Sequence, residues 1–275
     1  MDLSIVIVSF NARADLERCL HSLHAAPIAR SHEIVVVDNA STDGSADAAR
    51  RWPGVRVIDT AENFGFAHAN NVGIRASTGI NLLLLNSDTV VAAGAVDRLL
   101  DAVDRHPEVA VVGPRLVDAA GRAELSFGRM VGPINELRQK ILTRGHARHW
   151  PFVTSLVERA TRQEQCPDWV SGACLMVRRR DAEQAGLLDT RYFMYLEDVD
   201  FCAAIRARGR RVLFTPDVQV IHLRGRSAQS APAGTHRAYR RSQAAFYAKH
   251  HPRWVPLLRL YLKLRRADKT TEPNA

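Results

Sequence analysis

The sequence predicts an α/β protein built on a doubly wound, mostly parallel sheet flanked by helices. Apolar runs rich in Val, Ile and Leu recur through residues 1–115, as expected for strands that are buried on both faces of a parallel sheet. Segments with helical periodicity separate these runs, and this alternation implies right-handed crossovers between parallel strands. The length of 275 residues suits one large domain or a domain with an appendage.

The predicted elements follow in chain order. The nearly continuous apolar runs predict strands at residues 3–9, 33–37, 55–59, 80–86 and 109–113. The periodic segments predict helices at residues 12–25, 45–51, 66–77 and 92–106. Residues 120–165 lack periodicity and predict long connections with one or two short helices. Beyond them we expect a strand at 169–178, a helix at 198–208, strands at 211–214 and 218–222, a loop at 225–235, and helices at 236–249 and 254–266.

Positive charge is concentrated at one end of the chain. The net charge is +9, but residues 203–275 hold 16 basic and 3 acidic residues, so the first 202 residues are net negative. A basic end suits nucleic acid, an anionic membrane surface or a phosphate-bearing substrate. No recognition motif of the RRM, helix-turn-helix or zinc-finger type accompanies the charge, so we expect no nucleic-acid partner.

The cysteines and the apolar runs predict a cytoplasmic protein. Four scattered cysteines without a CxxC pair indicate neither a disulfide framework nor a zinc ribbon, so reduced thiols are expected. The first residues carry no basic run before their apolar stretch, which argues against a signal peptide. No apolar run approaches the roughly 18 residues that span a bilayer.

Polar residues follow three predicted strands at their carboxyl ends, where open α/β sheets bind ligands. Ser9-Phe10-Asn11 follows the first strand, Asp38 ends the second, and Asn86-Ser87-Asp88 ends the fourth. The glycine-rich phosphate loops GxGxxG and GxxxxGK[ST] are both absent. Asp38 suits a hydrogen bond to a base or ribose, and Asp88 suits a hard cation. The alternatives are turn chemistry around Asp38 and helix caps at Asn11 and Asp88.

Three acids, Glu197, Asp198 and Asp200, lie between an aromatic run and a predicted helix. Desolvation and mutual repulsion raise the pKa of a carboxyl group in such surroundings, as a general base requires. The alternative is that acids in a first helical turn simply interact with the helix dipole. His222 follows a predicted strand, where it would be structural or bind a metal.

Six segments in this order resemble the family 2 glycosyltransferases of GT-A fold: SIVIVSFN, VVVDNASTDGS, NFGFAHANNVGI, LLLNSDTV, WVSGACLMVRR and YLEDVDF. Within that family they look most like bacterial rhamnosyltransferases of surface-polysaccharide synthesis. The resemblance implies a GT-A domain at residues 1–225, with a nucleotide-binding half (1–115) and an acceptor and catalytic half (116–225). A basic helical extension at 226–275 follows it.

The resemblance also implies roles for the matching residues. Asp198 would be the catalytic base, with Glu197 and Asp200 as orienting groups. Mg²⁺ or Mn²⁺ would be held by Asp88, in the family's DxD motif, and by His222. This chain has Asn86 at the first acidic position of that motif. The acceptor side would include Trp169 and Gly172. The nucleotide side would include Ser9, Phe10, Asn11, Asp38, Asn63, Gly65, Asn71 and Ser87.

The implied reaction is an inverting transfer of a sugar from a nucleoside diphosphate to a hydroxyl of a glycan or a lipid-linked saccharide. L-Rhamnose from dTDP-rhamnose is the expected donor. UDP-linked GlcNAc, glucose, galactose or galactofuranose and a non-catalytic sugar-nucleotide binding protein are the alternatives. The mixed apolar and basic segment 254–266 predicts contact with an anionic membrane surface, on the cytoplasmic face of the inner membrane. A docked helix or a dimer contact would explain it equally well.

Overall fold

The computed structural model describes residues 1–25, 27–223 and 232–270. Ten strands form two sheets in this part of the chain. The strands are β1 (Leu3–Ser9), β2 (His32–Asp38), β3 (Val55–Asp59), β4 (Asn81–Asn86), β5 (Thr89–Val91), β6 (Val109–Val117), β7 (Phe127–Gly128), β8 (Trp169–Val170), β9 (Cys174–Arg178) and β10 (Arg211–His222). The large sheet has the order β3-β2-β1-β4-β9-β6-β10-β5, and β7 pairs with β8 in a separate ribbon.

Helices flank this sheet and continue beyond its last long strand. They are α1 (Arg13–Ala25), α2 (Ser45–Arg50), α3 (Phe66–Ala76), α4 (Ala95–Arg105), α5 (Pro133–Ala147), α6 (Pro151–Ala160), α7 (Arg179–Gln184), α8 (Glu197–Ala207), α9 (Pro232–His250) and α10 (Val255–Thr270). A short 3₁₀ turn at Pro252–Trp254 separates the last two. None of the helices in the described ranges combines the length and the apolar character that crossing a bilayer requires.

The large sheet is mostly parallel, as predicted. β1 runs parallel to β2 and β4, β2 to β3, and β6 to β10, whereas β9 and β5 are antiparallel to their neighbours. One apolar cluster joins the sheet to α1 and α4, and another joins the opposite face to α3 and α8. Burial on both faces explains why the strand sequences are continuous apolar runs.

The structure corrects several predicted elements. The strand expected at 169–178 is two strands, β8 and β9, because the chain turns at Ser171–Ala173 and leaves the ribbon for the large sheet. The two strands expected at 211–214 and 218–222 are one strand, β10, with an irregular register between Thr215 and Gln219. The short elements β5 and α7 were not predicted, since three to six residues carry too little periodicity.

The remaining helical predictions are confirmed with shifted boundaries. Residues 120–165 contain two helices, α5 and α6, in the expected number. Residues 225–231 of the predicted loop 225–235 lie outside the described residues, and its last residues, 232–235, belong to α9. α9 and α10 correspond to the predicted C-terminal helices. The domain boundary at residue 225 stays a prediction.

Candidate active site

The predicted ligand-binding residues of the first half lie along one edge of the sheet. Ser9 pairs in register with Asp38 at the ends of β1 and β2, and Val8 pairs with Asn86 at the end of β4. These three strands are parallel, so their carboxyl ends lie side by side. Asp88 follows within two residues of Asn86.

Ser9 and Asp38 present buried polar atoms at this edge. Asp38 accepts a hydrogen bond from the Ser41 backbone N–H through Oδ2 at 2.8 Å. Its Oδ1 and the Ser9 Oγ are buried and have no hydrogen-bond partner among the described residues. Buried polar atoms are nearly always paired in proteins, so these two are the atoms for which a ligand would supply a partner. A carboxylate oxygen there accepts from the N–H of a base or from a ribose hydroxyl.

Asn11 shapes the edge, and Phe10 is exposed on it. Asn11 has a left-handed backbone (φ 49°), and its Oδ1 accepts the Thr42 backbone N–H at 2.8 Å. Its own backbone N–H donates to Ser41 Oγ at 2.9 Å, so Asn11 joins the end of β1 to the loop after β2. The side chain is therefore committed to the protein, whereas the exposed Phe10 ring is available for stacking on a base.

The loop before α3 is organised by Asn39, a residue that was not singled out from the sequence. Its side chain donates to Asn63 Oδ1 at 2.8 Å and accepts from the Phe64 backbone N–H at 3.2 Å. Gly65 follows with φ 88°, and a Cβ there would collide with the backbone oxygen of Phe193. Asn63 and Gly65 thus bring this loop against the segment that precedes α8. The position of Asn39 directly after Asp38 was the available signal.

The Asn71 side chain forms its hydrogen bonds within the protein. Its Nδ2 donates to the Leu188 carbonyl at 2.7 Å, and its Oδ1 accepts the Leu188 backbone N–H at 3.1 Å. The buried amide therefore fixes the chain near α7 to α3. Its contact with a diphosphate or sugar stays a prediction.

Asp88 and His222 meet at the end of the antiparallel pair β5 and β10. His222 Nε2 lies 3.3 Å from Asp88 Oδ1, and His222 Nδ1 lies 3.1 Å from Glu124 Oε2. Burial lowers the pKa of His222, but the two carboxylates prevail and raise it to about 9. Glu124 was missed because it lies in the aperiodic stretch 120–165, where no pattern marks a functional position.

The donor set at this point suits a cation that is bound together with a phosphate ligand. No group of three or more His, Cys, Asp or Glu side chains in the described part of the chain is arranged to hold a metal ion by itself. One carboxylate, Asp88, is nevertheless what Mg²⁺ uses when substrate phosphates complete its coordination. Asn86, two residues before Asp88, has a buried side-chain Oδ1 without a hydrogen-bond partner among the described residues. Glu124 on Nδ1 is the kind of partner that orients a metal-binding histidine. Ser87, between Asn86 and Asp88, is buried.

The acidic segment begins α8 on a strained backbone. Tyr195 and Leu196, directly before Glu197, both have left-handed φ values, 69° and 68°. Left-handed conformations are unfavourable for non-glycine residues, and they cluster at functional sites. Asp198 Oδ2 accepts the Gly172 backbone N–H at 2.9 Å, and Oδ1 accepts the Val199 backbone N–H at 2.8 Å. The turn between β8 and β9 therefore fixes the carboxylate.

The surroundings of Asp198 and Glu197 shift the pKa values of the two carboxyl groups to different extents. Burial raises the pKa of Asp198, and backbone N–H groups of Gly172 and Val199 oppose that rise. Burial and then the Asp198 charge raise the pKa of Glu197 well above its ordinary value. Glu197 Oε2 has no hydrogen-bond partner among the described residues. The negative charge of the pair therefore resides first on Asp198, which is the better candidate for a base.

Asp200 connects α8 to the C-terminal helices. Its carboxylate accepts hydrogen bonds from Lys249 Nζ at 2.8 Å and from Tyr192 Oη at 3.2 Å, and it lies 2.6 Å from His250 Nε2. These contacts are with α9 and the aromatic run, so Asp200 influences Glu197 and Asp198 through the helix that all three share. Its role as an orienting group stays a prediction.

Of the two predicted acceptor-side residues, Trp169 lies on the strand before the turn that holds Asp198, and Gly172 lies within that turn. Trp169, on β8, donates its indole N–H to the Arg129 carbonyl at 2.9 Å. Gly172 approaches α8 closely, and a Cβ at that position would lie 3.2 Å from the Asp198 Cβ. The structure thus brings Trp169, Gly172 and Asp198 together across 30 residues of sequence.

The mostly parallel sheet, the polar residues at its strand ends and the partly buried Asp198 carboxylate are those of a glycosyltransferase of the GT-A fold. The family model described as "Glycosyl transferase family 2" matches residues 4–183. The chain belongs to that family, which confirms the predicted enzyme class.

Relatives and solved structures agree with this assignment. The N-acetylglucosaminyl-diphospho-decaprenol L-rhamnosyltransferase of Mycobacterium tuberculosis is 32% identical over 265 residues, covering 92% of this chain and 86% of that protein. The rhamnosyltransferase WbbL of Escherichia coli K12 is 23% identical over 230 residues, covering 79% and 82%. The mannosyltransferase PcManGT from Pyrobaculum calidifontis, solved with GDP-Man and Mn²⁺, superimposes with a TM-score of 0.63 at 20% identity, covering 94% and 68%. The structure of GalNAc-T7 with UDP, GalNAc and Mn²⁺ superimposes with a TM-score of 0.60 at 18% identity, covering 81% of this chain and 44% of that protein.

Proposed function

We propose that this glycosyltransferase moves L-rhamnose from dTDP-rhamnose to a hydroxyl of a lipid-linked saccharide, with inversion at the anomeric carbon. The observation that carries the reaction type is the partly buried Asp198 carboxylate, fixed by the Gly172 backbone N–H in a family 2 chain. The choice of donor and acceptor is supported by the mycobacterial relative, whose name gives an L-rhamnosyl group and a diphospho-decaprenol acceptor.

The nucleotide would bind at the ends of β1 and β2. Asp38 Oδ1 and Ser9 Oγ offer buried polar atoms to its base or ribose. The exposed Phe10 ring offers a stacking face, while Asn11 and Asn63 hold the surrounding loops in place. The diphosphate would extend towards Asp88, since β4 lies next to β1.

A divalent cation, Mg²⁺ or Mn²⁺, would be held by Asp88 and the diphosphate oxygens, and by His222 once the cation has displaced the proton that the two carboxylates favour on its imidazole. Such a cation neutralises the negative charge that develops on a departing diphosphate. Solved neighbours with the same fold contain Mn²⁺. In this chain Asn86 replaces the first acid of the motif, and its amide oxygen is a weaker ligand than a carboxylate. Cation binding should therefore be weak without the diphosphate.

The chemical step would be one displacement. Asp198 removes the proton of the acceptor hydroxyl, and the hydroxyl oxygen forms a bond to the anomeric carbon from the opposite face. The bond between that carbon and the phosphate oxygen breaks, and its electron pair leaves with dTDP. The raised pKa of Asp198 makes it a stronger base than an exposed aspartate, which favours this proton transfer.

The proposal is tested by calorimetry with dTDP, UDP and GDP, each with and without Mg²⁺ or Mn²⁺. We expect dTDP to bind most tightly and only with a cation. A preference for UDP would replace the rhamnosyl donor with a UDP-sugar and leave the transferase assignment intact. Binding that ignores the cation would overturn the role of Asp88 and His222. If none of the three nucleotides binds, both the transfer reaction and the alternative of a non-catalytic sugar-nucleotide binding protein are contradicted.

Residues 254–266 also support the lipid-linked acceptor. In this segment Leu258 is buried against the protein, while Trp254, Leu257 and Leu260 are exposed beside Arg259 and Lys263. The helix is therefore docked and still presents an apolar, basic surface. This arrangement suits peripheral contact with an anionic membrane.

A further inference from the structure

Helix α5 exposes an apolar stripe that none of the described residues covers. Ile134, Leu137 and Ile141 follow the spacing i, i+3, i+7, which places them on one face of the helix. All three are exposed, and Ile134 is 82% exposed. Single exposed apolar residues are common on protein surfaces, but a continuous stripe usually marks a contact site.

Helix α6 extends this apolar surface. Trp150, Phe152 and Leu156 are exposed, and Phe152 is 76% exposed. The two helices touch at Gly145, where a Cβ would lie 2.9 Å from the Trp150 ring and 3.1 Å from Val153. We call the six exposed residues the α5–α6 face: Ile134, Leu137, Ile141, Trp150, Phe152 and Leu156.

The charge around the α5–α6 face is almost entirely positive. Residues 129–160 contain six basic side chains and two acids, Glu136 and Glu158. Glu136 is buried and bonded to Lys140, Tyr239 and Tyr247, and Glu158 is paired with Arg115, so the negative charge of both is balanced within the protein. The exposed basic residues on α5 are Arg138 and Arg144, which border the apolar stripe on its two sides.

This combination selects an anionic lipid surface over a second copy of the chain. A symmetric dimer would place the same positive patch against itself, and the like charges would repel. An apolar stripe bordered by arginines matches the boundary between acyl chains and anionic head groups.

The face is connected rigidly to the candidate active site. The chain enters α5 from β7, and Arg129 there accepts the indole hydrogen bond of Trp169. Glu136 joins α5 to α9 through Tyr239, whose ring lies 5.9 Å from that of Tyr195, two residues before Glu197. Contact at α5 thus sets the position of the catalytic segment relative to the bound surface.

We propose that the α5–α6 face docks on an anionic phospholipid membrane, in addition to the contact proposed for residues 254–266. The inference rests on the proposed function in one respect, since a lipid-linked acceptor explains why the site would be held at a bilayer. The docking itself requires neither nucleotide nor transfer, so it is measured separately.

The test is cosedimentation of the full chain with phosphatidylcholine vesicles containing roughly one third phosphatidylglycerol, and with pure phosphatidylcholine vesicles. The variant Ile134→Ser/Leu137→Ser/Ile141→Ser should lose about tenfold or more in affinity for the anionic vesicles. Ile80→Ser is the matched control, because Ile80 is 64% exposed just before β4, outside the face, and should bind as the wild type does. Arg138→Gln/Arg144→Gln keeps the apolar stripe and should lose most of the preference for anionic over neutral vesicles.

Three results would overturn the proposal. The triple variant could bind vesicles as tightly as the wild type, with Leu257→Ser/Leu260→Ser alone abolishing binding, which would assign the contact to α10. Light scattering could show a wild-type dimer that the triple variant separates while vesicle binding is unchanged, which would make the face a self-interface. The wild type could also bind neither vesicle. Nucleotide calorimetry on the same variants keeps these outcomes distinct from a failure of the transfer reaction, and thermal melting confirms that each variant is folded.

Discussion

The two halves of the candidate site are built in different ways. In the nucleotide half, Ser9 and Asp38 reach their positions because neighbouring parallel strands end together. In the catalytic half, positions depend on contacts between distant parts of the chain, such as Gly172 with Asp198 and Glu124 with His222. The apolar runs of the sequence therefore predict the positions of the nucleotide-half residues. The positions of the catalytic-half residues depend on contacts that form only when the chain is folded.

The halves also differ in how their polar atoms are satisfied. Asp38 and Ser9 each have a buried oxygen without a hydrogen-bond partner among the described residues, as expected of atoms that bind a ligand. Asp198 and Asp200 are instead bonded within the protein through both carboxylate oxygens. Changes in the first half should therefore weaken ligand binding, and changes in the second should affect the chemical step or the folding free energy.

The largest expected effect is at the base. Asp198→Asn should lower kcat by about 10²–10⁴-fold, because the amide cannot accept the acceptor's proton. Donor binding should stay nearly unchanged, since the contacts with nucleotide are in the other half. Steady-state kinetics gives kcat, and calorimetry with dTDP gives the affinity.

Asp47→Asn is a matched control for this change, because Asp47 is an exposed aspartate on α2 paired only with Arg50 in the described residues. It should leave both quantities unchanged. A kcat of Asp198→Asn close to that of the wild type would remove Asp198 as the base. A parallel loss of dTDP affinity would remove the separation between the two halves.

The second expected effect is at the nucleotide edge. Asp38→Ala should weaken dTDP binding by roughly 10- to 100-fold, because a hydrogen bond to a charged group contributes about 1.5–3 kcal/mol. At saturating donor, kcat should be close to that of the wild type. Calorimetry measures the affinity for dTDP, and a donor titration measures kcat at saturating donor. A lower kcat with unchanged affinity would instead place Asp38 in the chemical step.

The third effect concerns folding. Asp200→Asn should lower the free energy of unfolding by about 1–2 kcal/mol, since a buried carboxylate loses its charge beside Lys249 and His250. The Lys249 and His250 side chains are both partly exposed, and solvent screening keeps the effect moderate. Urea denaturation measures it, with Asp189→Asn, which also loses a contact with Lys249, as the more exposed comparison. An unchanged midpoint would show that α9 is held to α8 by its apolar contacts.

The sequence predicted the parts of this fold that depend on local patterns. Buried parallel strands are continuous apolar runs, so the strands of the first half could be predicted from the sequence. The edge of the sheet that binds ligands could be predicted too, because it is formed by the carboxyl ends of those strands. The motif order then identified the family and the acids of α8. The turn at Ser171–Ala173 could not be predicted, because it arises where the chain exchanges one sheet for another.

Glu124 was missed because its role comes from long-range contact, since β10 brings His222 to it across 98 residues. Asp200 was grouped with Glu197 and Asp198 by sequence proximity, and the structure adds contacts with α9, about 50 residues away, that no local pattern indicates. Glu197 and Asp200 are three residues apart and share a helix face, whereas Asp198 lies on another. The role of Asp200 as an orienting group stays a prediction.

The smallest expected effect separates Glu197 from Asp198 by pH. The pKa of Glu197 is raised in the folded state by burial and by Asp198, so its contribution to stability is fully present below the ordinary value of 4.5 and is lost as the pH rises through the folded value. Glu197→Gln mimics the protonated form and removes this loss. Its melting temperature should therefore exceed that of the wild type at alkaline pH, and the difference should shrink as the pH falls below the ordinary value. A difference that is constant across the pH range would mean that the pKa of Glu197 is the same in the folded and unfolded states, which would contradict the effect of burial and of Asp198 on it.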